Sequence, residues 1–150
     1  MVDMQVQAIN RGAAPAQASM TSLLVVDDNQ DAAQTLTRLL KVLGFRASAA
    51  FSGETALDLI KEESPALIFL DLGMPTMDGV ETARRIRQSP EGEKIALVAL
   101  TGLGREEDIA RTRAVGFDAH LVKPVNLTQL EATLGQFLGS EAAAKFPPQS

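Results

Sequence analysis

The stretch Ala66-Leu67-Ile68-Phe69-Leu70-Asp71-Leu72-Gly73-Met74-Pro75-Thr76-Met77-Asp78 decides how this chain folds. The apolar run from Ala66 to Leu70 ends abruptly on a carboxylate, and Gly73, Pro75 and Asp78-Gly79 then make a turn-prone segment. A short apolar run bounded by turn signals reads as a strand buried on both faces, the kind found in parallel sheets. In open α/β sheets, ligands bind beyond the carboxyl ends of the strands. Asp71 therefore carries a charge to the mouth of a prospective site.

The same grammar recurs along the chain. Leu23 to Val26 ends on Asp27-Asp28, and a helix follows with Asn29 as N-cap, Leu36, Leu39, Leu40 and Leu43 at helical spacing, and Gly44 as its stop. A weaker, Ala-rich strand is expected over Phe45 to Phe51. Ser52-Gly53-Glu54 opens a second helix, with Ala56, Leu57 and Ile60 on one face, which closes before Pro65. Asp78 reads as the cap of a third helix, in a capping box with Glu81, running to about Gln88. Ile95 to Leu100 is another apolar strand, ending on Thr101-Gly102. Glu106 to Val115 is a helix with a thin apolar stripe, stopped by Gly116. Asp118 to Val122 is a short last strand ending on Lys123-Pro124, and Asn126 with Gln129 caps a closing helix through Leu138. Five strands alternating with five helices predict a doubly wound (βα)5 α/β fold, flavodoxin-like, with a five-stranded parallel sheet and helices on both faces. One domain is expected over residues 21–138, between flexible tails at 1–20 and 139–150.

Composition narrows the function classes. With 45% hydrophobic residues, six Phe and neither Trp nor Tyr, the core must be aliphatic. The net charge of −5 argues against a nucleic-acid partner. The absence of cysteine excludes disulfides, thiolate nucleophiles and cysteine-based zinc sites. No apolar run approaches the roughly 20 residues that span a bilayer, and Met1 to Met20 lacks the pattern of a signal peptide. No membrane association is expected, and the expected location is cytoplasmic.

Four strands end on something chemical: Asp27 and Asp28, Asp71, Thr101, and Lys123. A parallel sheet brings all of them to one edge. Three carboxylates in one small cleft repel and raise one another's pKa unless cations compensate. Lys123 supplies one positive charge and a divalent cation two more, which balances the set. Oxygen-only donors favour a hard ion such as Mg²⁺, which commonly binds one or two carboxylates and completes its shell with water and phosphate oxygens. Singly, each residue has a plainer reading as a cap, a turn residue or a loop start. Their joint occurrence on the strand ends of one domain points to phosphoryl chemistry.

Over about residues 21–138 the chain resembles a response-regulator receiver domain, the phosphoacceptor module of two-component signalling. The resemblance rests on Leu24-Val25-Val26-Asp27-Asp28-Asn29, on Leu70-Asp71 with Met74-Pro75 and Asp78-Gly79, on Ala99-Leu100-Thr101-Gly102, and on Leu121-Val122-Lys123-Pro124. The spacings agree as well, with 43 residues from Asp28 to Asp71, 30 from Asp71 to Thr101 and 22 from Thr101 to Lys123. The resemblance implies that Asp71 is the phosphoacceptor. It implies that Asp27, Asp28, Asp71 and the Gly73 backbone carbonyl hold Mg²⁺. It gives Thr101 and Lys123 the phosphoryl oxygens after transfer, and it implies a cis bond between Lys123 and Pro124.

Where receivers often carry a Tyr or Phe that swings inward on phosphorylation, this chain has His120, its single histidine. A switching side chain and an ordinary strand-end histidine both fit there. The implied phosphodonor is a histidine kinase or a histidine phosphotransfer protein, because no kinase-type motif surrounds His120. With no stretch left for a DNA-binding domain, the output is expected to be a protein contact through helices 105–115 and 127–138. A shuttle in a phosphorelay is a second option, since Ala99-Leu100-Thr101-Gly102 and the Gly116-to-Val125 stretch also resemble receivers attached to hybrid histidine kinases. Three rival readings fit the residues less well. A haloacid-dehalogenase-like phosphatase would need a second Asp where Gly73 stands. A flavodoxin-like small-molecule binder would have to bring phosphate against Asp27-Asp28. A phosphorylation-independent scaffold would have no use for the acidic set.

Overall fold

A computed structural model describes residues 21–74, 79–102 and 106–139. In chain order these form β1 (Ser22–Val26), α1 (Gln30–Val42), β2 (Arg46–Ala50), α2 (Gly53–Glu62) and β3 (Leu67–Asp71). They continue through α3 (Gly79–Gln88), β4 (Ala96–Thr101), α4 (Glu106–Val115), β5 (Ala119–Val122) and α5 (Leu127–Leu138). All strand pairs are parallel, in the order β2-β1-β3-β4-β5. The order reverses at β1, which lies between β2 and β3. The cleft beyond the ends of β1 and β3 is thus the topological switch point, where such folds bind ligands.

The pleat sorts the core. Leu23, Val25, Leu67, Phe69, Val98, Leu100 and Leu121 pack on one face, against Ala33 and Leu40 of α1 and Leu130 and Leu134 of α5. Leu24, Val26, Ile68, Leu70, Leu97 and Ala99 pack on the other, against Ala56 and Ile60 of α2 and Ala83 and Ile86 of α3. Every residue of β3 is buried, as expected of a central parallel strand covered on both sides.

Capping side chains start the helices as their sequence implies. Asn29, Ser52 and Asn126 accept hydrogen bonds from the backbone N–H groups of Ala32, Thr55 and Gln129. Asp78, the expected cap of α3, lies outside the described residues; Glu81 forms ion pairs with Arg84 and Arg85. Residues 1–20, read as a tail, and all but Gly139 of the expected 139–150 tail are also outside them.

Strand limits differ slightly from expectation. Phe45 is excluded from β2 because its N–H donates to Leu40 O while that of Gly44, at φ 100°, donates to Lys41 O. That double bond pattern closes α1 as a Schellman stop. Gly116 and Phe117 repeat it at the end of α4. Phe51 follows β2, Ile95 precedes β4, and Thr101 is the last residue of β4 rather than the first beyond it. Asp118 falls outside β5, where its carboxylate accepts from Leu97 N–H and Arg87.

Candidate phosphoacceptor site

Parallel pairing brings the strand ends to one edge and hydrogen bonds knit them together. Leu72 N–H donates to Leu100 O, and Lys123 N–H donates to Thr101 O at 2.8 Å. Asp27 N–H donates to Ala50 O. Asp27, Asp71 and Thr101 are buried, whereas Asp28 is exposed.

Carboxylate oxygens of Asp27, Asp28 and Asp71 lie within 4.8 Å of one another. Lys123 reaches across from β5, its ammonium donating to Asp27 Oδ2 at 3.0 Å and standing 3.3 Å from Asp71 Oδ1. Local turns hold both buried carboxylates: Asn29 N–H donates to Asp27 Oδ1 at 3.0 Å, and Gly73 N–H to Asp71 Oδ1 at 3.1 Å. Asp27 thus closes a local turn and pairs with Lys123 at once.

The electrostatics follow from this crowding. Burial pushes the Asp71 carboxyl above its ordinary value; the Gly73 N–H and the Lys123 charge oppose that push, and the Asp27 charge adds to it. Lys123 is held above the ordinary lysine value. Its burial favours the neutral amine, but the hydrogen bond to Asp27 and the Asp71 and Asp27 charges outweigh it. A proton on Asp71, or a second cation, relieves the remaining repulsion. Oxygen-only donors, two of them buried and one open to water, fit a hard divalent cation that keeps part of its hydration shell.

His120 lies just inside this edge. It pairs in register with Ala99 on β4, on the sheet face that also carries Thr101. Its Nε2 shares a hydrogen bond with Thr112 Oγ1 of α4. Burial and the nearby Arg113 charge lower the imidazole pKa below its ordinary value.

Two features escaped the sequence reading. One is the Thr112 partner of His120. The other is a groove of about 580 Å³ beside the carboxylates, lined by Ala32, Leu36 and Leu39 of α1 and by Leu100, Lys123, Pro124 and Val125. The leucines of α1 announced a core face, and only the fold shows that part of that face opens beside Lys123. The Lys123–Pro124 peptide is cis.

Comparison with known proteins agrees with this geometry. The family model of the response regulator receiver domain matches residues 23–135. An uncharacterized 14.6 kDa protein of Leptolyngbya boryana is 36% identical, over 85% of this chain and 94% of that one. The chemotaxis protein CheY4 of Vibrio cholerae superposes with a TM-score of 0.76 at 28% identity, covering 79% of this chain and 99% of that one. The receiver domain of the sensor histidine kinase PA1611 of Pseudomonas aeruginosa gives 0.74 at 26% identity, over 80% and 98% of the two chains; its structure has a magnesium ion coordinated in the active site cleft. A doubly wound sheet that gathers this acidic cluster and its lysine at the switch point, together with these matches, shows that the chain belongs to the response regulator receiver domain family of two-component signalling.

Proposed function

We propose that Asp71 accepts a phosphoryl group from a phosphohistidine on a separate protein, a histidine kinase or a histidine phosphotransfer protein. The observation that carries the reading is the position of the Lys123 ammonium, 3.0 Å from Asp27 and 3.3 Å from Asp71, where three carboxylates converge. Asp27, Asp28, Asp71 and the Gly73 carbonyl are the groups that would hold Mg²⁺, which when bound would neutralise charge on the transferring phosphoryl oxygens. Asp71 is held by Gly73 N–H and Lys123, which fix its carboxylate at the open edge. A carboxylate oxygen of Asp71 bonds to phosphorus as the phosphorus–nitrogen bond to the donor imidazole breaks. The imidazole leaves with the electron pair and takes a proton. Lys123 and the Thr101 hydroxyl then receive the new phosphoryl oxygens, and the resulting charge is met by the Lys123 ammonium already in place.

The acyl phosphate is labile. Water attacks phosphorus, inorganic phosphate leaves and the Asp71 carboxylate is restored, so residues 21–138 act as a timed switch rather than a turnover enzyme. The output runs through the face formed by helices 105–115 and 127–138 to a protein target in the cytoplasm. No helix among the described residues is long and apolar enough to cross a membrane.

Incubation with Mg²⁺ and acetyl phosphate, read by intact mass, tests the reading. The wild-type chain should gain one phosphoryl group and Asp71→Ala none. No gain in either, or an equal gain in both, would overturn it.

A further inference from the structure

The described side chains of α4 meet the sheet differently from those of the other helices. α1 buries Ala33 and Leu40, α2 Ala56 and Ile60, α3 Ala83 and Ile86, and α5 Leu130 and Leu134. Among the described side chains of α4 the fully buried one is Thr112, at 0% exposure. Val115 is only partly buried against the core, while Ala110, Arg113 and Ala114 face solvent. Among the described side chains of α4 the buried contact is therefore polar, and its hydrogen bond to His120 reaches across from α4 to β5.

That difference has a physical consequence. An aliphatic contact is non-directional and survives small shifts of a helix. A hydrogen bond weakens steeply once its angle or length departs from a narrow range, so it is either made or broken. His120 pairs with Ala99, two residues before Thr101 on the same sheet face. The imidazole thus links α4 to the strand pair whose ends carry Thr101 and Lys123. Burial and Arg113 favour its neutral form, which costs less to keep at this partly buried position than an imidazolium.

We propose that Thr112 is the positioning residue of the switch, its hydroxyl holding His120 against α4 in the unphosphorylated chain, so that the bond must open before the imidazole can turn towards Thr101. The inference rests on the reading of Asp71 as phosphoacceptor and deepens it. Phosphorylation and release of the latch are then coupled, and whatever weakens the latch favours the phosphorylated arrangement by the same factor.

The test uses Thr112→Val, which removes the hydroxyl at nearly constant shape, His120→Phe, which removes the ring nitrogen, their double variant, and Thr112→Ser. The rate of phosphorylation by acetyl phosphate and the amide hydrogen exchange of α4 are measured on the full chain. Thr112→Val and His120→Phe should each accelerate phosphorylation by about threefold to tenfold, the population shift expected from one net hydrogen bond. Both should raise α4 exchange, the double variant should go no further than either single one, and Thr112→Ser should restore wild-type behaviour. Should Thr112→Val fail to fold, His120→Phe and Thr112→Ser carry the comparison alone. Variants within twofold of a phosphorylated wild type, or effects that multiply in the double variant, would overturn the latch while leaving Asp71 as acceptor. A wild type that takes no phosphoryl group on Asp71 would overturn the parent reading, and the latch with it.

Discussion

Asp71 is held at a cost. Its carboxylate is buried, faces the Asp27 charge, and titrates above its ordinary value of 3.8. A carboxyl whose folded pKa is raised contributes stability below its unfolded pKa and loses it as pH rises through the folded value. At neutral pH without metal, the ionised Asp71 therefore weakens the fold. Asp71→Asn should raise the Tm measured by calorimetry in EDTA at pH 7, with the gain shrinking as pH falls towards 4; a lowered Tm would contradict this. Lys123 has the opposite role. Lys123→Ala removes the cation shared by Asp27 and Asp71 and should slow phosphorylation by about 10²-fold, by analogy with the loss of one preorganised charge-stabilising donor. These residues could be read in the sequence because each directly follows an apolar run, so the strand itself reports where its side chain goes. Thr112 could not. Its meaning depends on a contact between α4 and β5 that no local spacing encodes.

The helix and strand ends carry the next layer of determinants. Gly79 opens α3 so close to β3 that a Cβ there would run into Asp71 O and stand 2.8 Å from Leu72 Cα. Gly79→Ala must push α3 or the segment after β3 aside, and it should lower both Tm and Mg²⁺ affinity; a variant with unchanged Mg²⁺ affinity would show that this segment absorbs the methyl group. Arg87 ties the far edge together. Its guanidinium donates to the carbonyls of Gly116, Gly92 and Ile95 and pairs with Asp118 at 2.9 Å. Arg87→Ala should cost about 3 kcal/mol in urea unfolding, because several partly buried carbonyls lose their donor at once. Lysine should not rescue it, having no planar fork to span those acceptors. The apolar runs and the capping residues Asn29, Ser52 and Asn126 made nearly every element readable. The Schellman stop that removes Phe45 from β2, and the Asp118 carboxylate that accepts from Leu97 N–H just ahead of β5, depend on hydrogen bonds the sequence does not display.

In the assembled molecule, strand order turns separate sequence signals into a single site. The reversal at β1 places Asp27 and Asp71 on adjacent strands, and β4 and β5 bring Thr101 and Lys123 alongside. A cation held by these carboxylates would link its binding to folding. Mg²⁺ at 100 times its Kd should stabilise the wild type by about 2.7 kcal/mol, visible as a rise in Tm, and Asp27→Asn should abolish most of that rise. Equal stabilisation of wild type and variant would place the ion elsewhere. The most direct test is chemical localisation of the phosphoryl group. After reaction with acetyl phosphate and Mg²⁺, borohydride reduces an aspartyl phosphate to homoserine, which peptide mass spectrometry assigns to a position. Homoserine at position 71, and only in chains treated with the donor, is the predicted result; homoserine at another position, or phosphoryl gain with position 71 still aspartate, would contradict it.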